Sequence, residues 1–122
     1  MLLRTWKVAL APGKGPELED FAAKFSLPMF RECAGCLAVL FTRTESHCLT
    51  VTAWASEQEL SQAEESASYR DVVQRIELSG LLSDDHSTEV FTVYGGFVTE
   101  SFVQALNRNP LGVGQRNERP GR

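Results

Sequence analysis

The fold is decided by the stretch Thr52-Ala53-Trp54-Ala55-Ser56-Glu57-Gln58-Glu59-Leu60, in which a strand runs directly into a helix. The apolar, β-branched run from Leu49 to Ala55 predicts the strand. Ser56 and Glu59 match the S-x-x-E capping box, in which the serine side chain accepts the Glu59 amide and the glutamate returns a bond. The sequence therefore predicts a helix that begins after Ser56 and has Leu60 and Ala63 in its core face.

Two further strands and a helix precede this stretch. The run from Cys36 to Thr42 predicts a strand that pairs with 49–55 through the polar loop 43–47. Residues 2–11 alternate, which predicts a first strand with Trp6, Val8 and Leu10 on one side. Between them, a helix beginning at Pro16 is predicted. Pro28 is expected to interrupt it, so that residues 29–31 form an offset final turn.

Residues after the capping box complete the pattern. After a break at 66–68, a second helical stripe contains Tyr69, Val72, Val73 and Ile76. A last strand over 88–94 and a short helix over 99–107 follow. The order β-α-β-β-α-β predicts an α+β, ferredoxin-like split with a four-stranded antiparallel sheet. We expect residues 1–97 to form this domain and 98–122 a C-terminal extension, a short helix followed by a basic tail containing glycine and proline.

Composition excludes several classes of protein. The chain has 122 residues, of which 43% are hydrophobic, and a net charge of -4. These values describe one ordinary soluble domain, and the negative charge argues against binding to nucleic acid. No apolar run is long enough for a membrane span, and charge comes too early for a signal peptide. The sequence therefore predicts a cytoplasmic protein with no nucleic-acid or membrane partner.

Both faces of the predicted sheet are apolar. Leu37, Val39 and Phe41 face one way on the second strand and Ala38 and Leu40 the other, and on the last strand Phe91 and Val93 oppose Val90 and Tyr94. Two helices can cover only one face, and soluble monomers seldom expose a large apolar patch. We therefore expect a homodimer that associates through its sheets, with Val90 or Phe91 in the interface.

Cys33-Ala34-Gly35-Cys36 has the C-x-x-C spacing of zinc knuckles and thioredoxin-like sites. The other candidate ligands, His47 and Cys48, lie at the far tip of the hairpin, so zinc would lack a second pair. The pair also follows a helix C-terminus, where the helix dipole does not favour a thiolate. We expect three free thiols and no metal. His47 and His86 are expected at the surface, and residues 12–16 lack the spacing of a phosphate loop, so no nucleotide cofactor is predicted.

Aromatic and basic side chains form the remaining candidate site. Trp54 lies at a strand end, and Tyr69 and Arg70 begin the next helical stripe, so the three could converge, with Trp6 and Arg4 nearby. An indole beside a guanidinium suits a planar phenolic or quinonoid ligand, because the ring can stack and the cation can stabilise an oxyanion. The alternative is that the aromatic residues belong to the core and that Arg70 pairs with Glu65 or Glu77.

In the order of its predicted strands, helices and motifs, the sequence resembles the antibiotic biosynthesis monooxygenase family of dimeric α+β barrels. The resemblance covers residues 3–96, and its most specific part is the Trp-x-Ser-x-x-x-Leu stretch from Trp54 to Leu60. It includes Pro28-Met29-Phe30-Arg31 and Ser68-Tyr69-Arg70. The family implies a homodimer and an oxidoreductase that oxidises phenols or quinols with molecular oxygen and no flavin, haem or metal.

Carried over by position, the resemblance implies catalytic roles for Trp54 and Arg70, and substrate-binding positions at Thr50 and Leu60. The aromatic residues Trp6 and Tyr69 are further substrate-binding candidates. Thr50 and Leu60 replace an asparagine and a tyrosine of the phenol oxygenases. Trp6 and Val73 stand where haem-degrading relatives have an asparagine and a histidine. Two functions are therefore expected: a cofactor-independent monooxygenase for a small aromatic molecule, or a non-catalytic dimer that binds one.

Overall fold

The computed structural model describes residues 1–108 and consists of one four-stranded antiparallel sheet with helices packed on one face. In chain order its elements are β1 (Leu2–Ala9), α1 (Gly15–Phe21), a π-helical segment (Ala22–Ser26), α2 (Leu27–Glu32), β2 (Cys36–Arg43), β3 (His47–Trp54), α3 (Glu57–Glu65), α4 (Ala67–Glu77), β4 (Ser87–Thr92) and α5 (Glu100–Arg108). The strand order is β2-β3-β1-β4. The predicted α+β, ferredoxin-like fold is confirmed.

Strand register brings alternate residues of neighbouring strands onto the face that the helices cover. Arg4 is opposite Thr52, and Trp6 is opposite Thr50. On β3 the alternation is strict, since Cys48, Thr50, Thr52 and Trp54 are buried and the residues between them are half-buried. Arg4 and Val8 are the buried residues of β1. The covered face is therefore polar at its centre and apolar toward both ends.

The serine cap of the predicted capping box forms and fixes α3 to the end of β3, while the Glu59 side chain bonds to the Ser56 hydroxyl. Ser56 Oγ accepts the Glu59 amide at 3.2 Å, and its hydroxyl donates to Glu59 Oε1 at 3.3 Å. Leu60 and Ala63 are buried, as expected. Gly35 lies against this helix so closely that an added Cβ would overlap Glu59 Cβ. The turn between α2 and β2 therefore requires glycine for steric reasons.

The helical region between β1 and β2 departs from regular α-helix before Pro28, and not at Pro28 as expected. Pro28 does not interrupt it, because the π-helical segment at Ala22–Ser26 precedes the proline and Pro28 falls in the first turn of α2. Residues 29–31 therefore continue α2 and do not form a separate offset turn, and Met29 and Phe30 are buried in the core.

Two apolar clusters make up the core. The first contains Val8, Leu10, Leu18, Phe21, Cys48, Ile76 and Leu81. The second contains Met29, Phe30, Trp54, Leu60 and Ala63. Val72 of α4 packs against both. Because the clusters lie at opposite ends of the sheet, the centre of the covered face is left between them.

The opposite face and the last strand are open. Every residue of β4 is exposed, including Val90 and Phe91, which is 45% exposed. The strand ends at Thr92, so Val93 and Tyr94 follow it rather than belong to it. Leu37 is 57% exposed at a register shift between Cys36 and Ala38, which corrects its expected placement beside Val39. These surfaces are consistent with the homodimer, which stays a prediction.

The C-terminal part forms a short amphipathic helix, as expected. All residues of α5 are exposed, and its apolar side chains Phe102, Val103 and Leu106 are 41–45% exposed. The predicted basic tail, 109–122, lies outside the described residues, and the division at 97/98 stays a prediction. Among residues 1–108, no helix is long and apolar enough to cross a membrane.

Candidate functional site

A cavity of about 310 Å³ lies between the sheet and the helices, in the space between the two core clusters. Proteins commonly bind small molecules in pockets that are mainly apolar and contain a few polar groups. This cavity has that character. Its sheet wall is formed by Arg4, Trp6, Phe41, Thr50 and Thr52, and its helix wall includes Phe21, Met29, Phe30, Tyr69, Val72 and Ile76.

Arg4 is the most unusual residue of the wall, because a charged side chain seldom lies in a protein interior without a full set of partners. It is only 5% exposed. The alternation of β1 places it on the covered face together with Trp6 and Val8. Its Nη2 atom donates to Tyr69 Oη at 2.6 Å, and the guanidinium carbon lies 5.5 Å from the centre of the tyrosine ring.

The positive charge of Arg4 is only partly compensated. Its Nε atom lies 3.2 Å from Glu64 Oε2, close enough for attraction. The N–H is not aligned with that oxygen, so among the described residues Nε has no hydrogen-bond acceptor. The Glu64 side chain is 40% exposed, and solvent weakens an ion pair of this kind. Arg4 therefore presents a buried cation with unfilled bonding capacity at the cavity wall.

Tyr69 supplies a neutral hydroxyl beside this cation. Burial raises the pKa of its phenol above the ordinary value, although the nearby Arg4 charge acts in the opposite direction. The phenol therefore stays protonated at neutral pH. The residue is held by its backbone, since Ser66 caps α4 by accepting the Tyr69 amide at 3.2 Å. Tyr69 Oη accepts from Arg4, and its own proton can be donated to a ligand oxygen.

A second charged pair lies at another part of the lining. Arg43 Nε donates to Glu19 Oε2 at 2.9 Å. The Arg43 guanidinium lies across Gly15 so closely that an added Cβ would overlap it. Of the described residues that line the cavity, Glu19 is the only carboxylate, and none is a histidine. The lining therefore contains no carboxylate or imidazole base other than this ion-paired glutamate.

The structure brings some of the predicted site residues together. Trp6, Thr50 and Tyr69 line the cavity, and so does Val73. The Trp6 indole stacks with the ring of His86 at 5.4 Å between centroids. His86 is exposed, as expected, and this contact also gives it a packing partner in the cavity wall.

Trp54 does not line the cavity, which corrects the sequence-based expectation. It is 0% exposed in the second core cluster, where Leu60 packs beside it. Its Nε1 atom donates to Thr52 Oγ1 at 2.7 Å, and its ring meets Phe30 edge-on at 6.4 Å. Trp54 therefore positions a lining residue and does not touch the cavity itself. Leu60 is likewise a core residue outside the lining.

Arg70 is also misplaced by the sequence-based prediction. It is exposed, because successive residues of α4 point in directions about 100° apart and Tyr69 takes the inward one. The guanidinium beside the aromatic residues is that of Arg4. The available signal was the alternation of β1, in which a lone arginine shares the side of Trp6, Val8 and Leu10.

The three cysteines are free thiols. Cys33 Sγ donates to the Met29 carbonyl at 3.4 Å, next to the second core cluster. Burial raises the pKa of Cys33, Cys36 and Cys48 above the ordinary thiol value. No group of three or more histidine, cysteine or acidic side chains within residues 1–108 could hold a metal ion.

Comparisons with known proteins identify relatives only at the level of structure. No protein-family model and no curated protein matches the chain. A protein of unknown function from Nitrosomonas europaea has a TM-score of 0.67 at 19% identity, covering 80% of this chain and 93% of its own. A candidate antibiotic biosynthesis monooxygenase from Deinococcus radiodurans has 0.67 at 11%, covering 81% and 98%. Another from Caulobacter crescentus has 0.65 at 14%, covering 77% and 90%.

Each alignment covers nearly all of the matched structure. About a fifth of this chain lies outside the alignment. The likeness therefore concerns the whole sheet-and-helix unit and not a fragment of it. The chain has the α+β fold of the antibiotic biosynthesis monooxygenases, which confirms the resemblance found in the sequence.

Proposed function

We propose that the protein is a cofactor-independent monooxygenase for a small aromatic molecule of the phenol or quinol type. The observation that carries the proposal is a mainly apolar cavity of about 310 Å³ with a buried guanidinium and a neutral phenol side by side in its wall. All residues that line the cavity lie between 4 and 76, so the activity belongs to the proposed domain of residues 1–97.

Three lining residues have roles in this proposal. The indole of Trp6 lies against the ring of the substrate. The guanidinium of Arg4 holds the phenolate or enolate oxygen, the role that the resemblance had suggested for Arg70. Tyr69 donates its proton to the same oxygen. The surrounding apolar side chains exclude water, which strengthens both interactions.

The substrate itself supplies the electrons. For an anthrone, whose central CH₂ group lies between two aromatic rings, loss of a proton gives an electron-rich anion that reduces molecular oxygen. One oxygen atom becomes the new carbonyl of the quinone, and the other leaves as water with the two hydrogens of the CH₂ group. The balance is CH₂ + O₂ → C=O + H₂O, so no external reductant is required.

The lining also supports a second candidate, a dimer that binds such molecules without turnover. The only carboxylate of the described lining, Glu19, is paired with Arg43, so proton removal has little help from the protein. An oxygenase built this way is restricted to substrates that ionise readily. We further propose that the protein is a homodimer under either function, which the exposed Val90 and Phe91 of β4 and Leu37 of β2 support.

Oxygen uptake by metal-free protein with an anthrone or a naphthalenediol tests the proposal. Arg4→Gln should slow turnover by about 10² or more, the usual loss for one oxyanion donor. Arg70→Gln is the matched control, because this arginine is exposed and outside the lining, and it should leave turnover unchanged. Binding without oxygen uptake across the panel would favour the non-catalytic candidate. Slow turnover by Arg70→Gln would contradict the assignment of Arg4 as the residue that holds the substrate oxygen.

A further inference from the structure

We propose that the cavity selects ligands that carry an anionic oxygen, and that Glu64 on α3 lowers their affinity as a competing counter-ion. The inference rests on the proposed function in that it uses the same cavity. It does not depend on the reaction with oxygen. It assigns a specificity role to a residue that lies outside the lining and that neither the sequence pattern nor the resemblance identified.

The described residues that line the cavity include two cations and one carboxylate. The carboxylate, Glu19, pairs with Arg43 at 2.9 Å, and Glu45, outside the lining, approaches the same guanidinium at 3.6 Å. Arg4 is the remaining cation of the lining, and its side chain is 6% exposed. Its carboxylate partner, Glu64, is 40% exposed and faces solvent as well as the guanidinium. A ligand anion inside the cavity would meet the same guanidinium with far less water around it.

The bonding around Arg4 is incomplete in the same way. The contact of Nε with Glu64 Oε2 at 3.2 Å is not an aligned hydrogen bond, and the N–H has no acceptor among the described residues. A buried donor without an acceptor is costly. The neighbouring hydroxyl of Tyr69 is a second donor within 2.6 Å of Nη2. A guanidinium and a hydroxyl so placed can both donate to one anionic oxygen, and such charge-assisted bonds are about twice as strong as neutral ones.

Glu64 competes with such a ligand because both are anions that interact with one cation. Neutralising Glu64 removes the competitor, and the electrostatic potential that Arg4 produces in the cavity becomes more positive. Partly exposed pairs of this type contribute modestly, so the affinity of an anionic ligand should rise about two- to fivefold in Glu64→Gln. A neutral ligand of the same shape should bind with unchanged affinity.

The test uses 2-naphthoate and 2-naphthamide, which have the same ring system and nearly the same shape but differ in charge at neutral pH. Calorimetric titration of the wild type should give at least about tenfold tighter binding of the carboxylate, the scale expected for charge-assisted bonds. Glu64→Gln should tighten naphthoate alone. Glu65→Gln is the matched control, since this neighbouring glutamate is exposed, and it should change neither affinity.

Equal affinity of the wild type for the two compounds, or no binding of either, would overturn the proposal, and so would weaker naphthoate binding by Glu64→Gln. These measurements need no substitution of Arg4, so they stand even where an Arg4 variant does not fold. Oxygen uptake separates the two proposals. Naphthoate selectivity without turnover of any phenol would refute only the oxygenase, and turnover without charge selectivity would refute only the present inference.

Discussion

Replacing Trp54 by phenylalanine should damage stability and leave ligand binding intact. The indole is 0% exposed and lies outside the cavity, where its N–H bonds to Thr52 Oγ1 at 2.7 Å. The sequence pattern and the resemblance place the same residue in the site and imply the opposite result, weaker binding. The two accounts therefore differ in a measurable way.

The size of the effect follows from the contacts. Phenylalanine cannot donate to Thr52, which is 2% exposed, so Oγ1 would keep only a long 3.5 Å contact to the Arg4 carbonyl. Leaving a buried polar atom without its partner costs about 1–3 kcal/mol. The smaller ring leaves a gap against Phe30 that adds about 1 kcal/mol. A loss of about 2–4 kcal/mol should lower the Tm by about 10 °C in a chain of this size.

Urea unfolding and fluorescence titration measure the two effects separately. The chain has two tryptophans, so Trp54→Phe leaves Trp6 as the only indole, and Trp6 lines the cavity. Its fluorescence should report 2-naphthoate binding with an affinity within about twofold of wild type, a difference of about 0.4 kcal/mol. Trp6→Phe is the control and should weaken binding at a smaller cost in stability. An unchanged unfolding midpoint together with much weaker binding by Trp54→Phe would refute the reasoning.

Four further outcomes are expected. Sedimentation at micromolar concentration should give twice the 13.5 kDa chain mass, and Phe91→Lys should reduce it to the monomer; a monomeric wild type would refute the dimer. Gly35→Ala should lower the free energy of unfolding by about 1–3 kcal/mol, because its Cβ overlaps Glu59 on α3, whereas an unchanged urea midpoint would mean that the turn yields easily. Because burial raises the pKa of Tyr69, the folded state holds its proton more tightly than the unfolded state. Stability should therefore fall as pH rises above about 10, and Tyr69→Phe should weaken this dependence, leaving the part that the three buried thiols contribute. All three thiols should react slowly with a disulfide reagent at neutral pH and quickly after unfolding, because burial raises the pKa of each; fast reaction of the native protein would contradict this.

The fold could be predicted because its signals are local. The alternation of β1 and the capping box at Ser56 depend on residues only a few positions apart, and both survive folding unchanged. Where the prediction missed, the pattern of residue types was not enough. The π-helical segment lies directly before Pro28, and no residue type within 22–26 predicts it. The register shift beside Leu37 is a feature of the pairing with β3, which is distant in sequence.

The site was only partly predictable for a related reason. Sequence periodicity tells which side chains face inward, and it placed Trp6 and Tyr69 on the covered face, while the resemblance supplied Thr50; all three line the cavity. It does not tell where inward-facing side chains fail to fill space. Trp54 and Thr52 share one face of β3, yet one is covered by the second core cluster and the other borders the cavity. That difference depends on how α2 and α3 pack, which is decided only when the sheet and helices assemble.

The π-helical segment at Ala22–Ser26 has a consequence for how this protein could change over evolutionary time. Such a segment contains about one residue more than the stretch of α-helix that would take its place. Deleting one residue there would rotate α2 by about 100° relative to α1. Met29 and Phe30 would then turn away from the sheet, and the cavity would lose part of its wall. A one-residue deletion or insertion in this segment would therefore keep the sheet and change the shape of the pocket, and with it the molecules that fit.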